Sequence, residues 1–334
     1  MKISIIMPTY NSSKTVLDAI NSVLNQSYKN LELLIVDDGS EDDTVNLVKS
    51  INDTRIKLFI QPNSGAGKAR NIGIKEAEGD YVLFCDSDDY LDEKILEEFT
   101  NVENVTDYDV ILFRTQKVSQ NGEVLVDNKM NSFDFSDDDK KLLIESIYNK
   151  FLKFNQLFGF DGVCGKFINR EFLIRNNIFF PESIVRFEDA YFCKKVFENS
   201  SKMKYIDKLG YYYIQNTDSI CHRYNPDAVN MFFDALIVLS DGRTDNNFYV
   251  KVLTTITECE VLYFYNREYK KSYQEYKKEF LDMISKSPYC DAISKVDKSV
   301  LPTHYKLETD LLKNKLVFPY MIMKKAYLTM KKSI

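Results

Sequence analysis

Histidine is nearly missing from this chain of 334 residues, which holds only His222 and His304. The six cysteines, Cys85, Cys164, Cys193, Cys221, Cys259 and Cys290, are widely spaced and form no CxxC pair, so the pattern of a zinc site is absent. They read as free thiols in a reducing compartment. Basic residues are outnumbered, 44 Lys and Arg against 50 Asp and Glu, for a net charge of -6 and a pI near 5.3. No overall basic field therefore recommends nucleic acid as a partner. No run approaches the ~18 apolar residues of a membrane-spanning helix. Met1-Lys2 leads directly into Ile3-Ser4-Ile5-Ile6-Met7, which is too short for the apolar part of a signal peptide and is better read as a first strand. Internal repeats and low-complexity linkers are absent as well. What remains is a globular chain with 44% hydrophobic residues, enough to fill one large domain or two, expected in the cytoplasm.

The most informative stretch is Tyr81-Val82-Leu83-Phe84-Cys85-Asp86-Ser87-Asp88-Asp89, an apolar run closed by carboxylates. Four or five apolar residues after Gly79-Asp80 read as a buried strand. Ligands of open α/β sheets bind outside the carboxyl ends of the strands, so acids placed there suit a metal and polyanion site. Oxygen-only ligands favour Mg²⁺ or Mn²⁺. The simpler alternative is that Asp88 or Asp89 only caps a helix beginning near Glu93.

The same arrangement occurs earlier in the chain. Ile3 to Met7 stops at Pro8-Thr9-Tyr10-Asn11, where proline is expected to end the ladder and Asn11 or Ser12 to cap a helix running to about Gln26. Val16, Ala19, Ile20, Val23 and Leu24 share one face of that helix. Leu31 to Val36 makes a second strand, closed by Asp37-Asp38-Gly39-Ser40. A helix bearing Val45, Val48 and Ile51 leads to a third strand, Ile56 to Ile60. This β-α-β-α-β alternation implies a parallel sheet with right-handed crossovers and puts the loops after the strands on one rim. Gln61 to Asn71 adds a glycine-bearing loop whose helix-start amides attract phosphate, although it has the spacing of neither a Walker loop nor a dinucleotide fingerprint. Val110 to Arg114 follows as a strand, with a hairpin turn at Ser119 to Gly122 and Val124 to Val126 returning. A helix is expected around Leu142 to Phe151. Gly162 to Arg170 resumes the sheet pattern, and Lys166 reads either as a phosphate or acceptor contact or as a solvated lysine. Phe192, Cys193, Val196 and Phe197 form an apolar helical face, placing Glu188 and Asp189 at that helix's amino end. There the macrodipole is expected to keep a carboxylate ionised. An ionised aspartate on the rim is a usable general base, and helix capping is the simpler alternative.

Pro8-Thr9-Tyr10-Asn11, Val36-Asp37-Asp38-Gly39-Ser40, Ala69-Arg70-Asn71, Asp86-Ser87-Asp88-Asp89 and Glu188-Asp189, in this order and at strand ends, resemble the family 2 glycosyltransferases of the GT-A fold. The resemblance covers roughly residues 1 to 225, and the Lys166 to Asp189 block looks most like bacterial members that decorate teichoic acid, capsule or exopolysaccharide. It implies an α/β, Rossmann-like and mostly parallel sheet flanked by helices, and a transferase of hexosyl or N-acetylhexosaminyl groups. Thr9, Tyr10 and Asp38 would hold the nucleobase of a UDP-sugar. Asn63, Lys68 and Arg70 would lie near its ribose, diphosphate or sugar. Asp86 would contact ribose or sugar, with Pro8, Asn11 and Ser87 in the same donor-binding set. Asp88 would bind Mn²⁺ or Mg²⁺, and Asp189 would take the proton from the acceptor hydroxyl in a single, inverting displacement. Thr217 to Arg223 follows the aromatic strand Tyr211-Tyr212-Tyr213 where such enzymes place a loop that closes on the diphosphate. His222 there is either a second metal ligand or phosphate contact, or an ordinary polar residue.

From about Asn225 the resemblance fades, and residues 226–334 read as a helical appendage that could form acceptor walls, an oligomer contact or a membrane-facing surface. Tyr263 to Tyr276 is rich in aromatics and lysine. Leu311 to Lys332 sets lysines beside Leu, Phe, Tyr and Met, the composition of a helix lying in a membrane interface. Alternatively Phe318, Met321, Ile322 and Leu328 pack on the appendage, with Pro319 interrupting any single long helix. The expected partners are a UDP-sugar, a glycan or lipid-linked acceptor and, through the tail, a membrane surface or a second copy. Two other functions share these features. A nucleotidyltransferase would want a glycine-rich, arginine-bearing loop after the first strand, where Pro8-Thr9-Tyr10-Asn11 stands. A non-catalytic nucleotide-sugar-binding subunit would not need both Asp88 and Asp189.

Overall fold

The computed structural model describes residues 1–127, 129–152, 160–215, 224–265 and 269–332. The chain forms two compact units, one of Met1–Ile147 and Lys153–Asn216, the other of Tyr148–Leu152 and Thr217–Ile334.

The first unit begins with the alternation expected of a parallel sheet: β1 (Ile3–Thr9), α1 (Val16–Leu24), β2 (Leu31–Asp37), α2 (Thr44–Lys49), β3 (Ile56–Ile60), α3 (Ala66–Glu76) and β4 (Tyr81–Phe84). Every residue of β1, β2 and β4 is buried, which is why these strands read as continuous apolar runs rather than alternating ones. A two-residue strand β5 (Tyr90–Leu91) and α4 (Ile95–Thr100) follow the acids. Next come β6 (Val110–Ser119), its hairpin partner β7 (Val124–Asp127), β8 (Phe133–Asp134) and α5 (Asp137–Tyr148). β9 (Lys166–Asn169), α6 (Arg170–Arg175), α7 (Glu188–Asn199) and β10 (Met203–Gln215) complete it.

Among the described residues the strands form one sheet in the order β3-β2-β1-β4-β9-β6-β10-β5, with β7 on β6 and β8 on β10. β3, β2, β1 and β4 run parallel. β9 runs against both β4 and β6, and β6 and β10 are again parallel. Chain order reverses at β1, between β2 and β4, and that is where such sheets open a crevice. The ladder does not stop at Pro8. β1 stays paired with β2 through Thr9, whereas its pairing with β4 ends at Ile6. The Ile6 carbonyl accepts from Cys85 N on the β4 side, and Pro8, two residues on, faces the same way past the end of that ladder. Its missing N–H therefore costs no hydrogen bond.

Packing of α3 on β1 fixes where the rim's glycine loop enters its helix. A Cβ at Gly73 would lie 2.3 Å from Ile6 Cγ2, so only glycine lets the helix approach this closely.

The second unit is helical in its described residues beyond 223: α8 (Ala228–Ser240), α9 (Asn246–Cys259), a π-turn at Glu260–Phe264, α10 (Tyr273–Ser285), α11 (Tyr289–Lys295), α12 (Thr303–Lys313) and α13 (Val317–Lys332). Pro319 does not break the tail helix. It sits in the first turn of α13, where a proline lacks no needed N–H. The face expected to pack is also different: Tyr320 and Lys324 are buried, while Phe318 and Ile322 are exposed. No described helix is long and apolar enough to cross a membrane.

Candidate active site

Side chains lace the four loops at the carboxyl ends of β1 to β4 into one surface. Thr9 Oγ1 donates to Asp37 Oδ1 at 3.1 Å. Asn11, with a left-handed φ of 49°, accepts from the Glu41 and Asp42 amides through Oδ1. Ser12 and Ser87 hydroxyls lie 2.7 Å apart, joining the first loop to the acids after β4. Asp38 is buried and takes three donors, Gln61 Nε2 at 2.6 Å and the amides of Ser64 at 2.7 Å and Gly65 at 2.8 Å. Gly39 makes that approach possible: its φ is 78°, and a Cβ there would meet Asn63 N at 2.8 Å. Tyr10 is exposed beside this pocket, as is Lys68, which lies 3.9 Å from Glu182.

At the centre is Arg70, carried by α3 and only 4% exposed. Nη1 reaches Asp189 Oδ1 at 2.8 Å and Nη2 reaches Asp86 Oδ1 at 2.9 Å. One guanidinium thus joins the acid that closes β4 to the acid that opens α7, the latter 119 residues from Arg70 in sequence. Burial alone would lower its pKa, but Asp189 and Asp86 outweigh that and hold it above the ordinary value. Asn71 prepares the seat: its side chain exchanges two hydrogen bonds with the Phe180 backbone, at 2.8 and 2.9 Å. The Phe180 ring lies 5.5 Å from the guanidinium and stacks on Phe192 of α7.

Asp189 stands in the first turn of α7, directly after Phe187, which takes a left-handed φ of 59°. That strained residue re-aims the chain so that the acid meets Arg70. The expectation of a fully ionised carboxylate is corrected here. Desolvation, together with Glu188 and Asp86, raises the Asp189 pKa to about 7 against the opposing pull of Arg70. Its side chain remains 33% exposed, and Oδ2 has no protein donor among the described residues. It can therefore meet a substrate hydroxyl.

The three acids after β4 have different surroundings. Asp86 is held by Arg70 and by the Cys164 thiol, which donates to Oδ2 at 3.8 Å. Asp89 is buried and accepts from Tyr211 Oη at 2.6 Å and from Ile214 N at 2.8 Å, and Tyr211 Oη also accepts from Asp86 N at 3.2 Å. Asp88 is exposed and, among the described residues, accepts no hydrogen bond from another residue. Desolvation and the charge of Asp86 raise its pKa, so a cation there would be welcome. No three His, Cys, Asp or Glu side chains among the described residues form a closed metal cage. One free hard carboxylate on an open rim nevertheless fits Mg²⁺ or Mn²⁺, which keep waters and take other ligands from substrate phosphates. His222 and the rest of Thr217 to Arg223 lie outside the described residues. Lys166 is neither solvated nor free to meet phosphate: it is 1% exposed and holds the Gly162 and Cys164 carbonyls. Tyr211 and Cys164 went unrecognised as site residues in the sequence, where nothing distinguishes them from core.

Comparison with known proteins agrees with this architecture. Residues 4–175 match the family model described as glycosyl transferase family 2. The chain belongs to that family. It is 32% identical over 218 residues to the poly(ribitol-phosphate) β-N-acetylglucosaminyltransferase TarS of Staphylococcus aureus, covering 64% of this chain and 35% of TarS. An uncharacterized glycosyltransferase of Haemophilus influenzae is 48% identical over 102 residues, 30% of this chain and 41% of that protein. This chain therefore spans well under half of either relative. The crystal structure of TarS 1–349 in complex with UDP-GlcNAc superposes with a TM-score of 0.66 at 22% identity, over 98% of this chain and 92% of that one. The fold is thus the GT-A-like α/β fold with C-terminal helices.

Proposed function

We propose that the chain is a metal-dependent, inverting glycosyltransferase that moves a sugar from a UDP-sugar to an acceptor hydroxyl of a cell-surface polysaccharide or teichoic acid. The observation that carries this reading is the Asp86–Arg70–Asp189 bridge, which sets a base with a near-neutral pKa beside the acids that close β4. Tyr10 offers an exposed ring for a uracil face. Asp38, with three donors already bound, keeps a lone-pair site for the uracil N3–H, since a carboxylate has about four. Asn63, Lys68 and the α3 amides face the ribose and diphosphate side. Asp88 would hold Mn²⁺ or Mg²⁺, which when bound supplies neutralisation of the leaving diphosphate. Asp189 accepts the acceptor's proton as that oxygen bonds to the anomeric carbon and the carbon–phosphate-oxygen bond breaks, its electron pair leaving with UDP. Arg70 keeps Asp189 oriented, and because it donates to Oδ1, Oδ2 is left for the proton. Attack opposite the leaving group inverts the anomeric centre.

The test is UDP release from a panel of UDP-sugars with Mn²⁺, starting with UDP-GlcNAc because the TarS structure was in complex with it. Product anomers are to be assigned by NMR. A β-linked product from an α-linked donor is expected. An α-linked product, or no UDP release from any donor in the presence of varied polyol-phosphate and glycan acceptors, would refute the proposal.

A further inference from the structure

The second unit contains a cleft of about 350 Å³ that the transfer chemistry does not use. Tyr265, Tyr269, Tyr273, Tyr276 and Phe318 form most of its wall. Of the ten lining residues among those described, six are aromatic, two are lysines, Lys271 and Lys325, one is methionine, and none is acidic.

Local structure explains how these rings converge. A Ser272–Glu275 capping box fixes the start of α10, which turns Tyr273 and Tyr276, three residues apart, onto one face. Tyr273 meets the exposed Phe318 of α13 edge-on, with centroids 5.6 Å apart. The π-turn after α9 brings Phe264 against Tyr276 at 5.1 Å, and π-turns recur at functional sites. Lys271 is fixed by Glu279 at 2.6 Å and by Tyr263 Oη at 3.0 Å.

Beneath the aromatic floor lies a polar network. Glu260 is fully buried in the π-turn and accepts from Tyr320 Oη at 2.7 Å and, more weakly, from Tyr276 Oη at 3.5 Å. Lys324, also buried, bonds Glu308 at 2.6 Å and Thr257 at 2.7 Å. Helices packing only for stability gain little from such a network, because buried ions are costly to desolvate. Through Glu260 it reaches one ring of the floor, Tyr276.

We propose that this cleft is a second glycan-binding site, which takes a segment of the sugar-phosphate acceptor chain. This inference rests on the reading of the chain as a transferase acting on such acceptors. Flat aromatic faces suit the C–H faces of sugars, while tyrosine hydroxyls and ammonium groups donate to hydroxyls and phosphate. Among the described lining residues the only formal charges are positive, on Lys325 and on Lys271, whose ammonium is shared with Glu279, and these favour a phosphodiester. An acyl chain would instead want aliphatic walls, and Met321 is the one flexible apolar side chain in the lining.

The experiment is calorimetry on the full chain with three probes: a ribitol-phosphate octamer, neutral chitotetraose and phosphatidylglycerol vesicles. UDP is titrated separately into the same samples. Wild type is expected to bind the octamer more tightly than chitotetraose. The double variant Tyr269→Ala/Tyr273→Ala should weaken octamer binding at least ~10-fold, about 1.4 kcal/mol, with UDP affinity and Tm unchanged. Tyr273→Phe should retain binding, which separates loss of the ring from loss of the fold. Equal octamer binding by wild type and the double variant, no octamer binding by a wild type that binds UDP, or binding of vesicles alone would each overturn the proposal. A wild type that binds octamer through these tyrosines but never binds UDP would refute the transferase reading and leave the cleft standing.

Discussion

Arg70→Met is the sharpest test of the candidate active site, because it removes one charge that two acids share while keeping a side chain of similar length. In the folded protein, desolvation and three neighbouring acids, Glu188, Asp86 and Asp161, hold the Asp189 pKa at about 7, and Arg70 is the principal force in the other direction. An adjacent opposite charge shifts a carboxylate by about 1–3 units, so its removal should raise the acid limb of the activity profile by that much. At pH 7 the ionised fraction of Asp189 would fall from about one half to between about one tenth and one thousandth, an activity loss of roughly 5- to 500-fold. The sign is definite: a base with a raised pKa is protonated at low pH, so activity rises with pH through that pKa, and the variant should recover toward pH 9. Arg70→Lys should rescue only in part, since an ammonium lacks the planar fork that reaches both acids. The assay is kcat/KM for UDP release between pH 5.5 and 9.5, with Tm measured at each pH. A variant that stays folded with an unmoved acid limb would refute the argument, showing either that Arg70 does not govern Asp189 or that Asp189 is not the base.

Four further predictions follow from the same geometry. Asp189→Asn should lower turnover at least ~10²-fold, in the range of a positioned base, with UDP-sugar affinity by calorimetry nearly unchanged. Asp88→Asn should weaken UDP binding in the presence of Mn²⁺ but not in its absence, and equal affinities with Mn²⁺ would remove the metal assignment. Tyr211→Phe strips a donor from buried Asp89 and should cost about 1–3 kcal/mol in urea unfolding, with unchanged stability contradicting the hydrogen-bonded turn described here. Gly73→Ala forces a methyl into Ile6 and should destabilise by about 1–3 kcal/mol, visible as a lower Tm. If the Tm holds, α3 does not lie as close to β1 as the geometry states.

Much of the sheet was legible from the chain itself. β3 and β4 fall where their apolar runs lie, and β1 and β2 run one or two residues beyond theirs. Asp88 and Asp189 were recognisable because acids closing a strand or opening a helix stand out against apolar neighbours. Less visible was β6, which continues five residues past Arg114 to Ser119, because its outer half is stabilised by pairing with β7 and β10 rather than by its own composition.

The sequence alone determined which residues form the parallel strands and that their loops share a rim, because burial on both faces demands continuous apolar runs and the crossover rule fixes the rest. It also marked the carboxylates. Only the tertiary structure decided what surrounds each carboxylate. The sequence places Arg70 near the donor's ribose, diphosphate or sugar but does not pair it with any acid, whereas folding buries it between Asp86 and Asp189, and Asp189 gains its near-neutral pKa from desolvation that no local pattern encodes. Lys166 was turned inward and the tail's Phe318 outward for the same reason: side-chain environment depends on contacts between residues far apart in the chain, and periodicity reports only on neighbours.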